Sequence, residues 1–593
     1  MKRHTYEYGL VGNCGYLALI DKKADVKWLC WPRFDSSFIF GSLLDEEKGG
    51  EFSISPDSPD YSSRQYYIEN TAILVTEFTA PDGKFRVIDF APRFLNYDRY
   101  FKPLMLFRKI ELLDGTPRVK ITCSPKGNYG EKEPEVLFGS NHLRYQNLGQ
   151  QVRLTSSLPL NYIQEGRSFV LTRNNYLALS WGVPLEDELP NTAEVFLRKT
   201  MEYWRRWVMR TAIGQFSQEM VIRSALTLKL HQFEDTGAII AATTTSLPEF
   251  PGSTRNWDYR FCWIRDSHYT LKALNSICHF TELEEYAHFI QNIALNEDNR
   301  YQPLYSITGE AQLVEKILPL AGYKGEKPVR VGNQAYEHIQ NDVYGQVLVS
   351  LLPLFVDQRL SQEKRSHLGP LVMRVLRKIQ DTMYEADAGL WEFRNLAQLH
   401  CYTFLFHWAG AKAAIKIAHE LEDQKMEELA QKLAEEASAQ IEACYDEERQ
   451  VYTQAVGSPH LDASTLHLIT MHYLDPKSER AASHLKALEA ELKTPEGLFY
   501  RYKHEDDFGE PETTFLICAF WYVEALAMVG RTDEAVEIFE NLCRYDNDLG
   551  LLSEDVSAKD GSQWGNFPQA YSHVGLVNAA FAISRQLDSV SFL

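Results

Sequence analysis

The sequence has no C-x-x-C pair and no short disulfide-rich segment, and its nine cysteines are an odd number scattered from Cys14 to Cys543. That excludes a disulfide framework and predicts reduced, buried thiols in a cytoplasmic protein. Basic runs are missing as well. A formal charge of -20, from 61 basic and 81 acidic residues, opposes the attraction to phosphate that dominates nucleic-acid affinity, so neither nucleic acid nor an anionic membrane is expected as a partner. There is no long apolar run: the best candidate for a membrane span, 515–529, is too short and carries Glu524, which predicts a buried core helix instead. The opening MKRHTYEYGLVGNCGY has basic residues but no apolar stretch ahead of a small-residue cleavage site, so no secretory signal is expected. No H-E-x-x-H and no EF-hand loop occurs, no metal or cofactor is expected, and Asp506-Asp507 reads as a solvated turn.

What is present is a soluble globular composition with 12% aromatics over 593 residues, enough for two domains and suited to a neutral, sugar-like ligand. Up to about residue 190 the pattern is that of strands. The runs 72–79 and 85–90 flank a Pro81-Asp82-Gly83 turn, 104–112 and 119–123 flank Asp114-Gly115, and 169–172 and 176–181 are further β-branched and aromatic runs. This predicts an antiparallel β-sandwich. The period then changes, and 192–209 reads as a helical connector. Twelve helical stretches follow, beginning near residues 217, 267, 281, 339, 361, 401, 423, 459, 478, 513, 531 and 567. That from 423 to 443 is amphipathic, with Met426, Leu429, Ala430, Leu433, Ala437 and Ile441 in one stripe, whereas those near 401, 513 and 567 are apolar on most faces. Outer and inner rings of an (α/α)6 barrel have that character, and no fixed repeat period supports a solenoid. The expected organisation is a β-sandwich over 1–190, a helical linker over 191–215 and an (α/α)6 barrel over 216–593.

Six polar and aromatic clusters fall ahead of or within the apolar helices: Asn256–Tyr259, Trp263–Asp266, Gln340–Asp342, Leu390–Arg394, Arg501–Tyr502 and Ser553–Asp555. Any one of them has an ordinary structural reading, such as an acidic residue at a helix start. Six together point to a site. Inverting glycoside hydrolysis needs one protonated carboxyl and one ionised carboxylate roughly 6.5–9.5 Å apart. Glu392, between Trp391 and Phe393, is expected to be desolvated and protonated. Glu554, between Ser553 and Asp555, is expected to stay ionised in polar surroundings. His400 and His573, near these motifs, read as satisfied core histidines.

The segment Arg255-Asn-Trp-Asp-Tyr-Arg-Phe-Cys-Trp-Ile-Arg-Asp266 resembles the D-Y-x-x-x-W-x-R-D signature of glycoside hydrolase family 15, the glucoamylase and trehalase-like enzymes, and the resemblance extends over almost the whole chain. It implies that Arg265 and Asp266 grip the hydroxyls of a nonreducing glucose, that Tyr259 faces the developing oxocarbenium and that Trp263 forms a wall. Leu390-Trp-Glu392 is similar to the acid motif, with Trp391 counted among the substrate-binding residues. Leu552-Ser-Glu554, followed by 565–573, is similar to the base segment. Gln340, Asp342 and Arg501 look like further parts of the glucose subsite. The run from Gly12 to Ser36 resembles the trehalase-like N-terminal domain of bacterial members, with Arg33 and Asp35 as candidates to reach the cleft. The implied fold is a β-sandwich followed by an (α/α)6 barrel.

Two departures lie on the leaving-group side. The stretch 333–339 offers only Tyr336 where fungal glucoamylases have a Trp, and after Glu392 the chain runs Phe-Arg-Asn-Leu-Ala-Gln-Leu-His-Cys-Tyr, without a second Glu or an H-F-T-x-S-K stretch. The expected function is an inverting exo-acting α-glucoside hydrolase releasing β-glucose. A glucan or oligosaccharide is placed ahead of trehalose as substrate. A disaccharide phosphorylase and a noncatalytic glucan-binding regulator are the alternatives of different class. The sequence admits a homo-oligomer without requiring one.

Overall fold

A computed structural model describes residues 3–296, 300–359 and 362–587. Strands alternate their side chains between two faces, and the first third of the chain uses both. An eight-stranded antiparallel sheet runs in the order Glu135–Phe138, His142–Leu148, Gln150–Ser156, Asn175–Trp181, Met105–Gly115, Gly83–Phe90, Leu74–Ala80, Ser62–Tyr67. On one face Phe78, Phe85, Val87, Leu106, Ile110, Leu177 and Leu179 join a core shared with Trp28, Phe40, Phe52, Ile54, Val119 and Ile121. Those partners come from a four-stranded meander, Tyr8–Gly12 to Phe38–Phe40, and from a three-stranded sheet ordered Phe169–Val170, Arg118–Ser124, Glu51–Pro56. Their alternates Val75, Ile88, Phe90, Met105 and Phe107 face the other way and meet Leu189, Ala193 and Leu197 of the connecting helix Leu189–Met209. That helix reaches the barrel through Trp207, stacked on His279 at 3.8 Å.

The hairpin at Pro81-Asp82 is present, with Ala80 opposite Gly83. The turn at Asp114-Gly115 is not a hairpin. Met105–Gly115 belongs to the eight-stranded sheet and Arg118–Ser124 to the three-stranded one, so the chain changes sheets there. Pro117 lies in that turn and has no N–H to give a returning ladder.

Among the described residues, twelve helical elements follow in two rings. Ile264–Ser276, Asp342–Val356, Cys401–Leu421, the short Ala463–Leu466/His467–Thr470 element, Leu516–Met528 and Ala570–Leu587 pack side by side and close on themselves. The outer six are Gln218–Leu230, Thr281–Asn296, Gln362–Thr382, Gln424–Glu442, Glu479–Leu492 and Thr532–Cys543. The start expected near 361 falls on a residue outside those described; the helix is described from Gln362. Leu516–Met528 is buried from Leu516 to Ala527, as its apolar sequence demands, with Glu524 paired to Lys272. Among the described residues no helix is long and apolar enough to cross a membrane. Gln424–Glu442 buries Met426, Ala430, Leu433, Ala434, Ala437 and Ile441, with Leu429 at the margin of the stripe. Asp342–Val356 and Cys401–Leu421 approach closely because Gly345 and Gly410 face each other; a Cβ on Gly345 would lie 2.0 Å from the Phe406 carbonyl.

Candidate active site

The N-terminal ends of the inner helices open on one end of the barrel, where a cleft is lined by residues in or ahead of the first turns of five of them. Arg265 and Asp266 stand in the first turn of Ile264–Ser276, buried at the cleft floor. Trp263, held extended by pairing of Cys262–Trp263 with Leu304–Tyr305, meets Tyr259 edge to face at 5.3 Å. Trp391 donates its indole N–H to Asp462 at 2.8 Å, ahead of the fourth inner element. Asp266 Oδ2, Gln569 Oε1 and Arg501 Nε are buried without a hydrogen-bond partner among the described residues. Orphaned polar atoms of both kinds on one small floor cost free energy until a polar ligand satisfies them. Burial pushes the Asp266 carboxyl up to about 7, against the pull of Arg265.

Glu392 rides on a loop built by Asp387. That buried carboxylate accepts from the backbone N–H of Asn341 (2.8 Å) and Gly389 (3.1 Å) and from the Thr403 hydroxyl (2.9 Å). Burial pushes Asp387 up to about 7. Glu392 itself holds φ at +63°, a left-handed conformation that costs a non-glycine residue roughly 1–2 kcal/mol and is sustained only where the surroundings over-determine it. Its Oε1 accepts from the Trp263 indole at 2.7 Å and from Arg265 Nη2 at 3.3 Å.

Glu554 stands across the barrel mouth on a small sheet of Thr514–Phe515, Asp555–Val556 and Gln563–Trp564. It accepts from the Asn566 N–H at 2.9 Å and from the Tyr259 hydroxyl. Gly565 is required behind it: its φ is +73°, and a Cβ there would fall 2.5 Å from that of Glu554. Gly565 is held in turn by the N-terminal segment, where the buried Tyr6 hydroxyl donates to its carbonyl at 2.9 Å and Tyr6 N donates to Gln563 at 2.9 Å. Glu554, Asp555 and Glu249 place carboxylate oxygens within 4.8 Å of one another, all buried. Burial, then the charge of Glu249, pushes Glu554 up to about 8, and the same two causes push Asp555 well above the carboxylate range. This trio is the one group among the described residues with metal-ligand spacing. Glu249 already meets Arg501 at 3.1 Å and Arg255 at 3.8 Å, so guanidinium charge stands beside it.

The structure thus reverses the surroundings expected of the two carboxylates. Glu554, with polar sequence neighbours, is 2% exposed; Glu392, flanked by aromatics, is partly open to the cleft and paired with Arg265. Tyr259, Trp263, Arg265, Asp266, Trp391, Glu392 and Arg501 line the cleft together. Gln340 and Asp342 do not line it; both are buried behind the floor, Gln340 accepting from Arg265 Nη1 at 2.7 Å and Asp342 accepting from Gln346 at 2.5 Å. Glu554 sits behind Tyr259. Arg33 pairs with Asp35 and neither lines the cleft; their loop supports the barrel, the Ser36 carbonyl accepting from Arg260 at 2.8 Å. His573 is satisfied by Leu552 N and Ser224 as expected, whereas His400, packed on Phe393, leaves its buried Nε2 without a hydrogen-bond partner among the described residues. Tyr336 hydrogen-bonds Glu337 away from the cleft, and His338 faces the cleft in its place. Asp506 is no solvated turn: it accepts from Arg255 and from Tyr502. Glu249 and His338 were missed, being single residues with no motif around them; Trp257 lay inside the Asn256–Tyr259 cluster but was given no role, and Asp507 was read with Asp506 as a solvated turn.

The profile described as Glycosyl hydrolases family 15 matches residues 215–581, and the one described as Trehalase-like, N-terminal matches residues 3–164. A protein of Thermoplasma volcanium named trehalase is 33% identical over 97% of this chain and 92% of its own length. A Mycobacterium tuberculosis protein of the same name is 30% identical over 98% of this chain and 89% of its own. Among solved structures, a bacterial glucoamylase complexed with acarbose superposes with a TM-score of 0.69 at 15% identity, covering 98% of this chain and 95% of that one. It has the same two-part fold, a β-sheet domain followed by an (α/α)6 barrel.

Proposed function

The chain belongs to glycosyl hydrolases family 15, and we propose that it is an inverting α,α-trehalase. The observation that carries the substrate is that the relatives named trehalase align with the β-sheet half as well as the barrel, over 97–98% of the chain. Sequence alone ranked a glucan ahead of trehalose; these matches reverse that order.

In this reading one glucose occupies the floor, its hydroxyls satisfying Asp266, Gln569 and Arg501. Glu392 protonates the bridging oxygen, and Trp263 and Arg265 fix the carboxyl that does so. Glu554 takes a proton from the attacking water on the opposite face. Its burial makes it the stronger base once ionised. Asn566 N–H and Tyr259 O–H stabilise the ionised form of Glu554.

Trehalose joins two α-anomeric carbons, so inversion at one of them releases one β-glucose and leaves the partner as α-glucose. Anomer-resolved NMR early in the reaction tests this. Equal α and β signals support the proposal, two α signals mean retention, and no turnover of trehalose beside turnover of maltose or maltotriose returns the assignment to glucan.

A further inference from the structure

The segment Tyr502–Gly509 crosses the mouth of the cleft and is tied to two separate loops. Asp507 accepts from the backbone N–H of Arg394 at 2.5 Å and from Asn395 Nδ2 at 2.7 Å, two and three residues beyond Glu392. Asp506 accepts from Arg255 Nη2 at 2.5 Å and from the Tyr502 hydroxyl, and the same Arg255 Nη2 donates to the Gly509 carbonyl at 3.0 Å. Between these ties Phe508 meets Trp257 edge to face at 5.4 Å, and the Arg394 guanidinium lies over both rings, 4.6 Å from Trp257 and 5.3 Å from Phe508. Arg255, Trp257, Arg394, Asp506, Asp507 and Phe508 line the cleft.

A sugar whose oxygen is protonated by Glu392 must leave between Glu392 and this strap. The room there is bounded by aromatic faces, which suit the C–H faces of a pyranose, and by the charged groups of Arg394 and Asp507, which suit its hydroxyls. A glucan continues from the reducing end of its second glucose, into the space the strap crosses. Trehalose has no such continuation, because both anomeric carbons are already joined.

We propose that the 502–509 strap, tethered by Asp507 and walled by Phe508, caps the leaving-group subsite at one glucose and so selects a disaccharide over longer α-glucans. The proposal rests on the trehalase reading and names the residues that enforce it. Asp507 is a positioning residue in this account, acting through the strap and the 394–395 backbone.

The test compares wild type, Asp507→Ala and Phe508→Ala on trehalose, maltotriose and α-glucosyl fluoride, the last of which needs no sugar in the leaving-group subsite. Both variants are expected to lose about tenfold or more in kcat/KM on trehalose, chiefly through KM, while fluoride turnover falls by less than about threefold and the maltotriose-to-trehalose ratio rises about tenfold. Equal losses on all three substrates, or an unchanged ratio, overturn the strap alone. A wild type that turns over the fluoride but not trehalose overturns the trehalase reading and the strap with it. If Asp507→Ala fails to fold, the Phe508→Ala ratio decides.

Discussion

Glu392 and Glu554 have surroundings opposite to those their immediate neighbours in the chain advertise. Trp391 and Phe393 flank Glu392, yet the carboxyl emerges into the cleft beside Arg265. Ser553 and Asp555 flank Glu554, yet Glu249, 305 positions earlier in the sequence, is the charge that acts on it. Each of the two carboxylates lies in a polar cluster visible in the sequence; how each is solvated was not legible, since burial is set by residues distant in the chain. The proposed roles separate on one substrate. Fluoride leaves without a proton, so Glu392→Gln is expected to lose roughly 10²–10⁴-fold on trehalose while largely keeping α-glucosyl fluoride hydrolysis, whereas Glu554→Gln loses both. Steady-state rates of the two variants on the two substrates check this. Parallel losses in both would contradict the division of labour.

At the scale of elements, helix starts were legible to within a few residues because inner helices such as Cys401–Leu421 and Leu516–Met528, apolar on most faces, contrast with polar loops ahead of them. Leu516–Met528 and Ala570–Leu587 begin about three residues after the positions expected, the first because Thr514–Phe515 is a short strand and the second because Gln569 is bridged to Ala242 ahead of the helix. Two-residue strands leave no periodicity to read. The Asp114-Gly115 turn looked like a hairpin for a related reason: turn chemistry is local, whereas the choice of sheet is not. The N-terminal segment was read only for the absence of a signal, although it packs behind the base loop, with His4 stacked on Trp564 at 4.5 Å and Asn547 Nδ2 donating to the Tyr6 carbonyl at 2.8 Å. Tyr6→Phe deletes one buried hydrogen bond to Gly565, worth about 1 kcal/mol. It is expected to lower kcat about threefold to tenfold with KM nearly unchanged. A loss confined to KM would mean that this segment does not position Glu554.

The whole molecule buries ionisable groups of both kinds in neutral form, and its stability should follow pH accordingly. Burial raises Asp266 and Asp387 to about 7 and Glu554 to about 8, so the folded chain keeps protons that the unfolded chain releases above the ordinary carboxylate range. Their contribution is full below the unfolded values and is lost as pH rises through the folded ones. Burial lowers His400, His407 and His484 to about 4; these groups act only below their unfolded value near 6.5 and are silent above it. Between pH 6.5 and 8.5 the carboxylates act without them, and Tm is expected to fall by roughly 3 °C. Calorimetry at the two pH values checks this, and a Tm that rises across the window would contradict the burial assigned to these carboxylates. The two-part architecture was legible from the change of period near residue 190. What the β-half does for the barrel was not, because Trp28 donates to the Thr243 carbonyl of the barrel and Arg260 to the Ser36 carbonyl of the β-half, and backbone carbonyls carry no sequence signature.

The central claim is that Glu392 and Glu554 cleave trehalose with inversion, and the most direct measurement is the anomeric composition of the glucose formed in the first turnovers, followed by NMR before mutarotation. The account predicts α- and β-glucose in equal amounts, with both signals lost in Glu392→Gln and Glu554→Gln. α-Glucose alone, or trehalose cleavage that survives removal of either carboxylate, would contradict it.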